Sequence, residues 1–422
     1  MALLSKEQLR LMLSENLEKH AAYKAKGLKL DMSRGKPSVS QLDLCGDMLV
    51  NVSEESGVKS GDGTDTRNYG MPEGLPEIKN LFARILELPA ENVLVGGNSS
   101  LNLMFDVFAQ AMSVGMPGCE PWAKQGKIKF ICPVPGYDRH FSVCEYFGIE
   151  MINVEMTPNG PDMDAVEKLA ADGSVKGMWC VPKYSNPDGC VYSDETVRRI
   201  ASLKPAAKDF RVFWDNAYCM HDLYDTSEPL LPIFKACLEA GNPEMVIQFA
   251  STSKISFAGA GVSAVAAGDE NIRHIKKRLF IQTIGHDKIN QLRHARRFPD
   301  IDVVKAHMKR HAAIIRPKFE LLYGLFTREF GGNGLISWTE PKGGYFMSVD
   351  VMEGCAKRVA GLCADAGVVL TPAGATYPYG KDPRDRNIRI APTVPPIEEL
   401  EQAAEIFCVA VKIASAEKLL GR

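Results

Sequence analysis

VKGMWCVPKYSNPDGCVYSDETVRRIASLKPAAKDFRVFWDNA, residues 175–217, contains two strand-length apolar runs, VKGMWCVP (175–182) and FRVFWDNA (210–217). Between them lie a Gly/Pro-rich turn and a helical pattern over 193–203. Strand, helix, strand is the unit from which parallel sheets are built, because two parallel neighbours need a crossover long enough to return the chain.

The same rhythm continues in both directions. Upstream, the pattern predicts a helix near 75–86, a strand in ENVLVGG (91–97), a helix over 100–112, and strands in KIKFICPVPG (127–136) and IEMINVEM (149–156) before a helix near 162–171. Downstream comes EMVIQFAS (244–251). Near Pro299 the rhythm changes: a long helical stretch, 301–330, precedes SWTEPKGGYFMSVDV, a helix near 353–366, VVLTPAG, NIRIAPT and a closing helix over 397–420. The expected class is α/β, a large unit with a mostly parallel sheet between helices over 46–299 and a smaller α/β unit from 1–45 and 300–422. The N-terminal segment carries Leu9, Leu13 and Leu17 at helical spacing, and that face needs the second unit to bury it.

At 422 residues the chain exceeds the usual size of one core, which agrees with two units. The 50 basic and 52 acidic residues are interspersed, so the charge footprint of a nucleic-acid or membrane-surface binder is missing and a small-molecule partner is expected. The 11 cysteines are scattered without a CxxC pair, and no His cluster has zinc spacing, so no metal is expected. Free thiols, and an N-terminus charged from Lys6 onward, suit the cytoplasm.

In an open parallel sheet, ligands gather beyond the carboxyl ends of the strands. Several polar residues fall there. Gly97, Asn98, Ser99 and Ser100 lead from a strand into a helix, which suits an anion or an ordinary helix cap. Tyr137 follows another strand in PVPGYDRH, and Asn186 lies in SNPDG, where a turn is the plainer explanation. Asp215 ends the FRVFWD run, half buried and in need of a cation, with Tyr218 three residues on. Ser251, Ser253 and Lys254 follow EMVIQFA, and Lys254 stands among residues too small to shield a charge. Arg389 alternates with Ile388 and Ile390, either as an exposed strand arginine or as a receptor for a carboxylate. An anion cradle, an aromatic face, amide and hydroxyl donors, a carboxylate and an amine, at successive ends of one sheet, form the set that pyridoxal phosphate requires.

These motifs, with SRGKP (33–37), NYGMPEGLPEIKNLF (68–82), PAGATYP (372–378) and IRIAP (388–392), resemble the fold-type I pyridoxal-phosphate aminotransferases over nearly the whole chain. ASTSKISFAGAGVSA (250–264) and TIGHDKINQLRHARRF (283–298) are similar to a bacterial aspartate aminotransferase subgroup. The resemblance implies a mostly parallel sheet of the seven-stranded type, and a homodimer with shared sites in which Tyr69 reaches the neighbour's cofactor phosphate. It implies that Lys254 bonds the cofactor aldehyde, Asp215 holds the ring nitrogen protonated, Asn186 and Tyr218 bind the ring oxygen, and Tyr137 stacks on the ring. The phosphate would rest on Gly97, Asn98, Ser99 and Ser100 with help from Ser251 and Ser253. Arg389 would clamp the substrate α-carboxylate, with Gly35 and Asn186 beside it. Transfer of an amino group from L-aspartate to 2-oxoglutarate is the expected reaction; a different amino donor (alanine or an aromatic amino acid), a β-lyase, or a regulatory pyridoxal-phosphate module are the alternatives. The family's arginine a few residues after the lysine is missing, and Gly259 and Gly261 stand in that region. For a side-chain carboxylate, Arg34, Arg139, Arg293 and Arg297 are candidates.

Overall fold

The computed structural model describes residues 5–226 and 228–421. Helix α1 (Lys6–Ala25), the short strand β1 (Leu30–Asp31) and α2 (Val39–Leu42) lead to α3 (Pro76–Leu86), which starts on a proline whose missing N–H costs nothing at that position. Then come β2 (Val93–Val95), α4 (Ser100–Ser113), β3 (Lys129–Val134), α5 (Asp138–Tyr146), β4 (Glu150–Thr157), β5 (Gly160–Pro161), α6 (Met163–Ala170) and β6 (Val175–Cys180). Next follow α7 (Asp194–Ala201), β7 (Arg211–Asp215), α8 (Ile233–Glu239), β8 (Val246–Ser251), β9 (Ser263–Ala267), α9 (Asp269–Gln282) and α10 (Lys288–Arg297).

These strands form one sheet in the order β2-β9-β8-β7-β6-β3-β4-β5. The inner run from β8 to β4 is parallel, and β9 is antiparallel to both its neighbours. The eighth strand is the two-residue β5, which turns back on β4 as a hairpin, so the seven-stranded body expected from the sequence gains a small edge piece. Strand β9, in the small-residue stretch after Lys254, and helices α5, α8, α9 and α10 were not legible as elements: their apolar content is low or their length short.

Alternate strand residues serve opposite faces. Val212 and Trp214 join the core under α3, α6, α7 and α8, while Phe213 joins the one under α4, α5 and α9. With both faces covered, the strands read as unbroken apolar runs instead of an alternation.

Helix α11 (Ile301–Phe330) spans the full predicted length despite Pro317 in its interior. It is followed by β10 (Ile336–Trp338), β11 (Met347–Val351), α12 (Ala356–Asp365), β12 (Val368–Val369), β13 (Asn387–Ile390) and α13 (Ile397–Leu419). A three-stranded antiparallel sheet, β10-β11-β13, shares a core with α11, α12 and α13, and Leu13 of α1 and Leu30 of β1 are buried in it. Among the described residues no helix is long and apolar enough to cross a membrane.

Candidate active site

The carboxyl ends of β3, β6, β7 and β8 lie side by side, because these strands are parallel neighbours. Asp215 is the last residue of β7, and one of its oxygens, Oδ2, lies 3.1 Å from His140 Nε2. His140 stands in the first turn of α5, and its ring is stacked on Trp179 of β6, centroids 4.2 Å apart and planes 8° from parallel. The second oxygen, Asp215 Oδ1, is buried and has no hydrogen-bond partner among the described residues. A buried carboxylate oxygen without a donor is costly, so this atom marks a place prepared for an incoming N–H. His140 had no role in the sequence reading. Its signal was a histidine one helical turn beyond Tyr137, at the end of a strand, and it becomes legible only once α5 is known.

Lys254 lies on the loop after β8, its Nζ 4.8 Å from the centre of the Tyr218 ring. Loss of solvent pushes this amine below the usual lysine range, and the Asp215 charge pulls in the opposite sense. Tyr218 is buried, and burial drives its hydroxyl far above the usual tyrosine range, so it stays protonated. The Lys254 backbone is held from behind: its carbonyl accepts from Tyr345 OH at 3.3 Å and lies 3.2 Å from His221 Nε2. Farther along the loop, the Gly261 N–H donates to Asn98 Oδ1 at 2.6 Å, and Asn290 Nδ2 donates to the carbonyls of Ala260 and Gly261. A Cβ at Gly261 would crowd Ser253, which fits glycine at this position.

At the start of α4, Ser99 caps the helix by accepting from the Leu101 N–H, and Ser253 Oγ donates to the Asn98 carbonyl. The side chains of Asn98, Ser99 and Ser253 are thus engaged within the chain. The cradle's own donors are the first N–H groups of α4, which no helix carbonyl can satisfy. His286 borders this place, with Nδ1 3.7 Å from where a Cβ on Gly97 would stand and Nε2 buried without a partner among the described residues. Ser251 closes β8 alongside.

Arg389 comes from β13, and its neighbours Ile388 and Ile390 sit in the second core, which turns the arginine to the opposite face. Its Nη1 donates to Asp138 Oδ1 at 2.9 Å and to Asn186 Oδ1 at 3.3 Å. The guanidinium lies over Phe346, 4.8 Å from the ring centre. Gly35 abuts the outer edge of that ring, and a Cβ there would overlap it. Gly35→Ala is therefore expected to cost about 1–3 kcal/mol through displacement of Phe346; a denaturant midpoint equal to that of the parent chain would contradict this packing.

Tyr137 stands at the N-cap of α5, its ring 5.0 Å from His140. Burial, with Asp215 and Asp138 nearby, pushes its hydroxyl up to about 12. Tyr69, by contrast, is 82% exposed. Of the four arginines considered for a second carboxylate, Arg297 is engaged with Asp47 and His307, Arg34 and Arg139 are exposed, and Arg293 has a buried Nε without a partner among the described residues.

The chain that carries this site has counterparts among known proteins. The family model described as aspartate amino-transferase matches residues 4–422. The chain belongs to this family. As an aminotransferase it is 45% identical over 412 residues to an aspartate aminotransferase of Corynebacterium glutamicum, covering 97% of this chain and 95% of that one. The crystal structure of an aspartate transaminase from the same species is similar with a TM-score of 0.95 at 45% identity, covering 98% of both chains. LysN, an α-aminoadipate aminotransferase of Thermus thermophilus, shares the fold at 18% identity, with a TM-score of 0.76 over 94% of this chain and 95% of that one. The aminotransferase thus has fold type I and pyridoxal phosphate as its cofactor.

Proposed function

We propose that this aminotransferase moves the amino group of L-aspartate to 2-oxoglutarate, and that Lys254, Asp215, Tyr218, Asn186 and Arg389 form its reaction centre. The observation that carries the reading is the unpartnered Asp215 Oδ1 facing the same cleft as a solvent-deprived Lys254. A protonated pyridine N–H satisfies that oxygen, an aldehyde suits an amine of lowered basicity, and a phosphate suits the N–H groups from Gly97 to Ser100. The residues present fit the cofactor.

Pyridoxal phosphate, when bound, supplies a carbon that accepts the amino group and a ring that draws electrons from the substrate Cα. The protein does the rest. Asp215, held in orientation by His140, would accept from the ring N–H through its open oxygen. Tyr218 and Asn186 would donate to the ring oxygen, Tyr137 would cover the ring, and Ser251 and Ser253 would stand beside the phosphate. Arg389, seated over Phe346 with Gly35 at the ring's edge, would grip the α-carboxylate and fix the substrate's position. Burial lowers the basicity of the Lys254 amine, the direction that suits a group that takes the Cα proton.

The aspartate assignment draws on the relatives from Corynebacterium. A panel of amino donors with 2-oxoglutarate tests it: kcat/KM for aspartate should exceed that for alanine and the aromatic amino acids by about tenfold or more, since a missing charge–charge contact costs at least one such factor. Equal rates would overturn the substrate while leaving amino transfer intact.

A homodimer belongs to the same reading, with Tyr69 completing the neighbour's site. Tyr69 (82% exposed), Ile281 (88%) and Ile284 (63%) are large apolar groups left at the surface, and Lys288 Nζ and the Gly70 carbonyl tie the loops of Tyr69 and Ile284 together. We place the cofactor unit at 46–299 and the second unit at 1–45 with 300–422.

A further inference from the structure

Arg389 is a buried cation, its side chain 8% exposed, and it already has a carboxylate: Asp138, on the first residue of α5. The pair joins the two sheets across the cleft, since Arg389 belongs to β13 and Asp138 follows β3. Asp138 is held loosely. Its side chain is 33% exposed, and among the described residues its carboxylate makes no second hydrogen bond. It also sits at a helix N-terminus, where the free N–H groups favour a carboxylate that is not bonded elsewhere. Asn186, the other contact on the same Nη1, is neutral and can remain when a second carboxylate arrives.

We propose that Asp138 is an affinity-setting residue: in the substrate-free enzyme its carboxylate occupies Arg389, and each incoming substrate carboxylate must displace it. The proposal rests on Arg389 being the α-carboxylate clamp. Removing water from two charged groups is costly when one of them is left unpaired, and here neither state leaves Arg389 unpaired. The exchange replaces one carboxylate by another, so the ligand keeps only the difference between the two bonds. A transferase that must release a 2-oxo acid midway through its cycle benefits from such a competitor, because the residue that resists binding also drives release.

The test is calorimetric binding of succinate, an unreactive dicarboxylate, to the cofactor-loaded enzyme. Asp138→Asn and Asp138→Ser should bind succinate about tenfold more tightly than the parent, the size of one charged hydrogen bond no longer displaced. Asp138→Glu should stay close to the parent, because it restores the competitor. The gain should persist in about 0.5 M salt, where remote charges are screened but a contact pair is not. Methylamine, which carries no carboxylate, should not bind more tightly to any of these variants. Unchanged or weaker succinate binding in both neutral variants overturns the proposal, as does a gain that disappears with salt. Arg389→Gln separates the two ideas. If it binds succinate as the parent does, the clamp itself is wrong; if it loses binding while Asp138→Asn gains none, only the role of Asp138 falls.

Discussion

Lys254→Ala protein should lose amino transfer from aspartate by about 10,000-fold or more, the upper range for removal of a general base, with covalent capture lost besides. Lys254→Arg should be equally inactive, although it keeps the charge, because a guanidinium cannot shed its proton at working pH. That pairing separates the two possible uses of the cation: an electrostatic role would leave the arginine variant active, and a proton-moving role would not. Neither substitution should unfold the chain. The half-buried amine has no salt-bridge partner among the described residues, so replacing it leaves no carboxylate unpaired, and the loop is fixed by backbone bonds to Tyr345, Asn98 and Asn290 that the side chain does not make. Steady-state and single-turnover rates, with circular dichroism beside them, provide the readout. Activity within about tenfold of the parent would remove Lys254 from the chemistry.

The second large effect is on stability in mild acid. His221, His294, His307 and His311 are all buried, with no more than 3% of any of them exposed. Burial is the largest cause in each case and pushes the histidine down, to about 4 for His294 and His307 and about 3 for His221 and His311. His307 and His311 face each other with Nε2 atoms 3.0 Å apart, and Arg310 and, at His307, Arg297 add further positive charge. Asp47 and the Ile255 carbonyl act in the opposite sense at His307, but burial outweighs them.

These folded values lie below the unfolded one near 6.5, so below that pH the unfolded chain binds more protons than the folded one. Stability is therefore full above about pH 6.5, falls as pH drops from there toward the folded values, and levels off below them. Each histidine contributes about 1.4 kcal/mol per pH unit inside that window, and the four together about 5 kcal/mol per unit. Denaturant midpoints measured between about pH 5 and 8 should fall steeply on the acid side, before most carboxylates titrate. A midpoint that is flat down to about pH 5 would mean that these rings are reached by water.

The alternation of strand and helix was readable because it is local: apolar runs of strand length, amphipathic helices and Gly/Pro turns each announce themselves within a dozen residues. The strand-end residues Asp215 and Lys254 were readable for the same reason, since chain direction alone puts them on one side of a parallel sheet. The family resemblance followed from those local motifs taken in order. What could not be read was any feature that depends on two distant segments meeting. His140 and Asp215 are 75 positions apart, Asp138 and Arg389 251, and His307 and the Ile255 carbonyl beside Lys254, 2.8 Å apart, are separated by 52. Nothing in PVPGYDRH says that its aspartate will lie against an arginine of another sheet, or that its histidine will hold a carboxylate in place. Strand β9 was missed for a related reason, because SAVAA has too little bulk to signal a strand and becomes one only by filling the slot between β2 and β8. The amino-acid order by itself determined the class of fold and the line of chemistry-bearing strand ends. Tertiary structure decided which of those groups are paired and which are left open, since burial and pairing are properties of neighbours that only folding brings together.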